Sequence, residues 1–184
     1  EFRRVLFRSL NPRVNDIADK FSINIGGIKF LRMGGIKKGG SACYCRENNF
    51  LRAVVNSLLL DTKDIVIMDM GAGIEHLTRG TAQGMDLMII VTEPGKSSVN
   101  TARVVEKLAK EVSVKSVRFI ANKVKNENEE AFIKKNFSGQ ELAGIVHFDE
   151  RIAASSMEPE MGQDTMPDNE EIEKILSGIL RKNE

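Results

Sequence analysis

Ile65-Val66-Ile67-Met68-Asp69-Met70-Gly71-Ala72-Gly73 is the stretch from which the rest of the chain can be read. Four consecutive apolar residues closed by an acid predict a strand covered on both faces, because a strand with one solvated face alternates. An Asp at the carboxyl end of such a strand is the Walker B pattern, in which the carboxylate acts on Mg2+, often through water. Gly71 and Gly73 allow the next loop to bring backbone N–H groups close to a phosphate. The plainer alternative is an Asp that caps a loop, since many parallel strands end that way.

Outward from this run the chain alternates strand and helix patterns. Upstream, Ile28–Met33 reads as a short strand. A glycine-rich loop, Gly34 to Ser41, leads from it to Cys43-Tyr44-Cys45. Phe50, Leu51, Val54, Val55, Leu58 and Leu59 repeat at helical spacing and predict a helix over 47–60. Downstream, Leu87–Val91 is a second apolar run, followed by a helix over 97–111. A strand over 117–121, a charged helix over 127–136 and a strand over 142–146 come next. Ile172, Ile175, Leu176 and Ile179 form an i, i+3, i+4, i+7 stripe, with acids before it and Arg181-Lys182 after it, an order that suits the helix dipole. Continuous apolar strands alternating with helices predict an α/β domain with a mainly parallel sheet flanked by helices. Ligands of such sheets bind beyond the strand C-termini, which singles out Asp69, Glu93, Asn122 and His147.

Composition excludes several classes. The chain has 184 residues, with 27 basic against 26 acidic side chains, too balanced for a nucleic-acid binder driven by a positive field. Its longest apolar run, Leu87–Val91, is far short of the ~18 residues a membrane span needs. Two cysteines separated by one residue cannot staple a domain, so a reduced, cytosolic protein is expected. Residues 1–9 begin without Met and carry three Arg and one Glu; removing them turns the net charge from +1 to −1. They read as a boundary or non-native segment, with residues 10–184 forming the domain proper.

Three further features carry chemistry. Asn122-Lys123 follows the 117–121 strand, and an Asn side chain offers the donor and acceptor that an adenine edge requires. Guanine-specific Asn-Lys-x-Asp loops place an acid two residues after the Lys, where this chain has Lys125; a turn Asn beside a solvated Lys is the bland alternative. A phosphate cradle of the G-x-x-x-x-G-K-[ST] type is missed three times. Gly95-Lys96-Ser97 has Ile90 where the first Gly belongs, Gly34 and Gly39 are followed by Gly40 instead of Lys, and Lys38-Gly39-Gly40 continues Ser41-Ala42-Cys43. Cys43 and Cys45 could share a soft metal, but a structural Zn2+ wants four ligands and one chain supplies two thiolates. Two copies about a two-fold axis would supply four. Two ordinary reduced cysteines at a loop end remain the alternative.

Taken together, these residues resemble the carbon monoxide dehydrogenase accessory ATPases, nickel-maturation members of the MinD/ParA branch of P-loop proteins. The likeness spans roughly residues 10–158. It is carried by Gly39-Gly40-Ser41-Ala42-Cys43-Tyr44-Cys45, by Asp69-Met70-Gly71-Ala72-Gly73-Ile74-Glu75-His76-Leu77 and by Arg79-Gly80-Thr81-Ala82. It continues through Glu93-Pro94, Ser98, Thr101-Ala102, Asn122-Lys123-Val124 and Phe148-Asp149-Glu150. Position 147 departs from the pattern, with His147 where Pro is usual.

The resemblance implies a P-loop NTPase (MinD/ParA-like) fold, here missing its first βα unit, since the family's P-loop belongs upstream of residue 1. It implies a protein that binds ATP with Mg2+, dimerises around nucleotide and helps deliver nickel to apo carbon monoxide dehydrogenase or a related nickel enzyme such as acetyl-CoA synthase. Asp69 would be the Walker B carboxylate, Gly73 the switch residue facing the γ-phosphate, and Gly71 part of the same loop. Asn122 would read adenine, with Phe148 and Asp149 lining the base. Cys43 and Cys45 would hold Ni2+ or Zn2+ jointly with the same pair of a second subunit. A C-terminal part of a longer protein is expected, one that binds ATP poorly by itself and exposes an uncovered part of its sheet. Two competing readings are a nucleotide-free metal-binding or scaffold domain and a partitioning or division-site ATPase of the same fold. The acidic start of the last helix, Glu170-Glu171 with Glu173, disfavours the latter, because membrane-bound members often end in a basic amphipathic helix.

Overall fold

Parallel strands need long crossovers, and from Leu87 onward the sequence supplies them as helices. The computed structural model of the chain describes residues 22–32, 65–70, 85–155, 157 and 169–180. The chain divides into two units, Glu1–Thr81 and Ala82–Glu184.

In the first unit, strands β1 (Ile23–Ile25) and β2 (Ile28–Phe30) form an antiparallel hairpin. Gly26 and Gly27 make its two-residue turn at φ of +57° and +88°, the left-handed geometry that matches strand twist and that glycine adopts without a Cβ penalty. The expected 28–33 strand is therefore shorter, and its partner β1 was not foreseen. Residues 65–70 correct the first expectation. They form no strand, and Ile65, Val66 and Ile67 are exposed where burial on both faces was expected. An apolar run becomes a strand only through a hydrogen-bonded ladder, and among the described residues nothing pairs with this one. The expected helix over 47–60 lies outside the described residues.

The second unit is α/β. Strands β3 (Leu87–Thr92), β4 (Ser116–Val124) and β5 (Leu142–His147) form a parallel sheet in that order. Helices α1 (Lys96–Glu111) and α2 (Glu127–Asn136) are the crossovers, and α3 (Glu150–Ser155) and α4 (Glu170–Leu180) follow β5. On one sheet face Met88, Ile90, Phe119 and Ala121 are buried, together with Val99, Ala102 and Ala109 of α1. The rings of Phe119 and Phe137 lie 4.4 Å apart, and the Arg103 guanidinium of α1 sits 5.0 Å and 4.7 Å from them. Alternation along β4 turns Ile120, and Gly144 paired with it, to the other face, where α4 packs through Ile175. Helices thus flank both faces. Ile172 and Leu176, half of the expected apolar stripe of α4, remain exposed, as do Ile89 and Val91 of β3.

Helix ends follow capping rules. Asn126 caps α2 by accepting from Glu129 N–H at 3.0 Å, while the Glu129 carboxylate reaches back to Lys125 N–H at 2.7 Å, a reciprocal arrangement that satisfies donors the helix leaves open. Three acids in the first turn and Lys134 and Lys135 in the last complement the dipole. No described helix is long and apolar enough to cross a membrane.

Candidate functional site

Because β3, β4 and β5 run parallel, their carboxyl ends fall on one edge of the second unit. This edge carries Glu93, Asn122-Lys123 and His147-Phe148-Asp149, so the structure gathers three of the expected site residues, Asn122, Phe148 and Asp149, on adjacent strand ends.

The end of β4 is irregular in a specific way. The expected strand stops at Ala121, yet the ladder runs on to Val124, with a register shift between Ala121 and Val124 that takes in Asn122 and Lys123. Bulges of this kind re-aim side chains. Lys123 has a φ of +58°, rare for a residue with a Cβ. Its N–H donates to Asn122 Oδ1 at 2.9 Å, and its Nζ lies 2.7 Å from Glu93 Oε1 at the end of β3. Asn122 is half-buried, and its Nδ2 has no hydrogen-bond partner among the described residues.

At the end of β5, Phe148 N–H donates to Val124 O at 2.9 Å, which continues the β4–β5 pairing one residue past the strand. The Phe148 ring is 41% exposed, and Lys125 Nζ lies 5.2 Å from its centroid, within cation–π range. Asp149, expected to line the base, is engaged by Arg151 two residues on. Its carboxylate accepts from Arg151 Nε at 3.1 and 3.2 Å, from an Arg151 guanidinium nitrogen at 2.6 Å and from Arg151 N–H at 2.8 Å. Hydrogen bonds from the Arg151 side chain, then from its backbone, hold this carboxyl below its usual range.

His147 joins the edge to α4. Its backbone N–H donates to Glu171 Oε2 at 2.8 Å, its Nδ1 lies 2.7 Å from Glu171 Oε1, and its Nε2 lies 4.0 Å from Glu130 of α2. Burial pushes the Glu171 carboxyl up, but the hydrogen bonds from His147 and the charge of Lys174 outweigh it and leave the group below its ordinary value. Asn169 Oδ1 caps α4 by accepting from Glu171 and Ile172 N–H at 3.0 and 3.2 Å. Between these elements lies an open depression of about 570 Å3, lined by residues of the β5 end, including Phe148 and Asp149, and by Asn169 to Glu171.

The other expected site residues belong to the first unit. Asp69 is exposed and lies in the irregular 65–70 segment. Gly71, Gly73, Cys43 and Cys45 lie outside the described residues. Among the described residues no group of three His, Cys, Asp or Glu side chains converges as a metal site.

Sequence reasoning singled out Glu93, Asn122 and His147, but did not foresee the contacts that join them to Lys123 and Glu171. Pairings between strands are set by register, and register is invisible until the strands are aligned. Lys125 carried a signal: it stands where guanine-binding loops have an acid, and its ammonium now sits over the Phe148 ring.

What the edge can offer is an exposed ring beside the Lys125 ammonium and a carboxamide whose donor end has no partner among the described residues. No family model matches the chain. It is 40% identical over 177 residues to a Methanocaldococcus jannaschii protein described as an uncharacterized ATP-binding protein, covering 94% of this chain and 68% of that one. It is also 40% identical over 146 residues to the carbon monoxide dehydrogenase accessory protein CooC of Rhodospirillum rubrum, covering 79% of this chain and 56% of CooC. A second ATP-binding protein of M. jannaschii is 36% identical over 148 residues, which is 57% of its length. The chain therefore spans between about half and two-thirds of the length of the curated relatives it matches. It belongs to the family of CooC-like ATP-binding proteins.

Proposed function

We propose that the chain forms the base-binding and metal-holding part of an ATP-dependent accessory protein for carbon monoxide dehydrogenase. The observation that carries this reading is the 40% identity to CooC across 146 residues, 79% of this chain. The donor set of the strand-end edge fits an adenine base. Phe148 presents an exposed ring for stacking, and Asn122 presents both a donor and an acceptor. Asp69 would act on Mg2+ beside the Gly71–Gly73 loop, with Gly73 facing the γ-phosphate; bound ATP supplies the binding energy and the hydrolysable phosphoanhydride.

The cargo in this reading is nickel, or zinc in its place. Cys43 and Cys45 supply two thiolates, and a second copy about a two-fold axis completes a four-sulfur set suited to a soft metal. In a homodimer of this kind, any change of geometry that nucleotide favours alters how well the thiolates fit the ion, which couples the two ligands thermodynamically. The protein acts in the cytoplasm, with apo carbon monoxide dehydrogenase or a related nickel enzyme as its client.

Two experiments test the reading. In the first, the matched segment of R. rubrum CooC is replaced by the corresponding residues of this chain. A chimera that hydrolyses ATP and restores CO oxidation to nickel-free carbon monoxide dehydrogenase supports the proposal, whereas a folded chimera that binds no ATP removes it. In the second, Ni2+ and Zn2+ are titrated into the chain and into Cys43→Ser. Unchanged affinity and unchanged metal-to-protein stoichiometry would take the cysteines out of the function.

A further inference from the structure

Lys123 holds a left-handed backbone conformation, at a φ of +58°, without being glycine. Strained residues of this kind persist where their surroundings over-determine them, and they gather at sites where a side chain must be aimed. The surroundings here are specific. Before Lys123, Ala121 is laddered to Thr92; after it, Val124 is laddered to His147, and its carbonyl accepts from Phe148 N–H at 2.9 Å. Both flanks are fixed, and the bulge between them must accommodate Asn122 and Lys123.

The left-handed turn brings Lys123 N–H onto Asn122 Oδ1 at 2.9 Å. That contact fixes the carboxamide, identifies which of its ends is oxygen, and leaves Nδ2 without a partner among the described residues. The Lys123 side chain is in turn tied to Glu93 Oε1 at 2.7 Å, so the last residue of the bulge is braced against the neighbouring strand end. A surface ion pair is weak by itself. Its place here is to bias a short segment whose two ends are already fixed, which requires little.

From this geometry we infer that Glu93 and Lys123 are positioning residues for Asn122, holding its carboxamide so that Nδ2 donates to a ring nitrogen of adenine while the second lone pair of Oδ1 accepts from the 6-amino group. The inference rests on the nucleotide reading above and extends it to two residues that would not touch the base. It also names the chemistry that is refused. Hypoxanthine carries a carbonyl at position 6, so Oδ1 faces acceptor with acceptor whichever ring nitrogen Nδ2 meets, and on the N1 side the proton of N1 adds donor against donor.

The test places Glu93→Gln and Lys123→Val separately in the full chain and in the R. rubrum CooC chimera described above; a β-branched residue is poorly suited to the left-handed conformation. Order at the Asn122 side-chain NH2 is read by 15N relaxation on the chain without nucleotide, and binding is read by titrating ATP and inosine triphosphate separately into the chimera. The wild type is expected to show an Asn122 NH2 as ordered as the backbone and a preference for ATP of about tenfold, the scale of one hydrogen-bond pair. Both variants should free the NH2 and bring the preference towards unity, with the β3–β4 amides unchanged. An Asn122 NH2 that stays ordered in both variants overturns the inference, and so does a freed NH2 with an undiminished ATP preference. If the unsubstituted chimera binds neither nucleotide while the variants still free the NH2, the positioning stands and the nucleotide reading falls.

Discussion

Gly144 of β5 and Ile175 of α4 meet so closely that a Cβ on Gly144 would lie 2.3 Å from Ile175 Cγ1 and 2.5 Å from Cδ1. The missing side chain is what lets α4 lie against the sheet beside the end of β5. Ile175 is 8% exposed, so this contact is the main apolar anchor of the helix. Gly144→Ala is expected to destabilise the second unit by about 1–3 kcal/mol, because overpacking pushes the helix away. In a double-mutant cycle read by urea unfolding, Ile175→Ala should absorb the added methyl, making the pair less damaging than the sum of its parts. Strict additivity would mean that the helix does not seat on Gly144.

Arg103 links α1 to the residues between α2 and β5. Its guanidinium reaches Glu106 at 2.8 Å, both oxygens of Glu141 at 3.1 and 3.2 Å and Asn136 O at 2.7 Å, over the Phe119 and Phe137 rings. A lysine cannot reproduce a planar fork that serves four acceptor atoms and stacks at once. Arg103→Lys should therefore cost about 1–2 kcal/mol, the loss of one or two charge-assisted bonds and part of the ring contact. Thermal unfolding of Arg103→Lys at the wild-type midpoint would reject this.

Glu141 gives the Arg103 cluster a pH dependence. Hydrogen bonds from Arg103 first, then from Ser138 N–H, lower its carboxyl to about 2. A folded pKa below the unfolded value of about 4.3 means stabilisation that is complete above the unfolded value and lost as pH falls towards the folded one. The side chain is 35% exposed, so solvent screening reduces the effect to about 1 kcal/mol. Urea unfolding from pH 6 down to about 2 should show the wild-type advantage over Glu141→Gln level at first, then shrinking below about pH 4.5. A gap that widens on acidification would have the wrong sign.

How much of this was legible in the sequence depends on the type of interaction. Helix α2 was legible from end to end, because capping and dipole signals are local. The parallel direction of the strands was legible from apolar runs separated by helical patterns. The end of β4 was not, because the apolar run stops at Ala121 while the ladder continues through Asn122 and Lys123, and ladders depend on a neighbour. The same reason applies in reverse to Ile65–Met68, where an apolar run has no described partner and makes no strand. At the site, residue type pointed to Asn122, whereas Phe148 was pointed to by the family resemblance alone. The engagement of Asp149 by Arg151, two residues away, was open to notice, but its carboxylate had been assigned to a ligand instead.

Phe148 offers a direct test of the base site. Its ring is 41% exposed, so Phe148→Ala should leave folding intact. Stacking on an aromatic ring contributes ~1–3 kcal/mol, which predicts adenine nucleotide binding weaker by roughly 5- to 150-fold. Asn122→Ala should lower affinity less and abolish discrimination between bases. Equal binding by Phe148→Ala and wild type, with matching circular dichroism, would move the base elsewhere.

His147 and Glu171 set how firmly the N-terminal end of α4 is held. Two contacts, at 2.8 and 2.7 Å, fasten both carboxylate oxygens of Glu171 to the last residue of β5. The pair is partly exposed, with side-chain accessibilities of 47% and 38%, so about 1 kcal/mol is a reasonable value for it. Glu171→Ala removes both contacts but leaves the Asn169 cap and the Ile175 anchor in place. Local opening should then become easier near Glu171, where the clamp acts, and stay unchanged beyond Ile175. Hydrogen exchange should accelerate by about fivefold for the amide of Glu173, which bonds to Asn169 O at 3.2 Å, with little change at the Gly178 amide. Uniform acceleration along α4 would instead show that the helix opens as one piece and that the clamp contributes to docking as a whole.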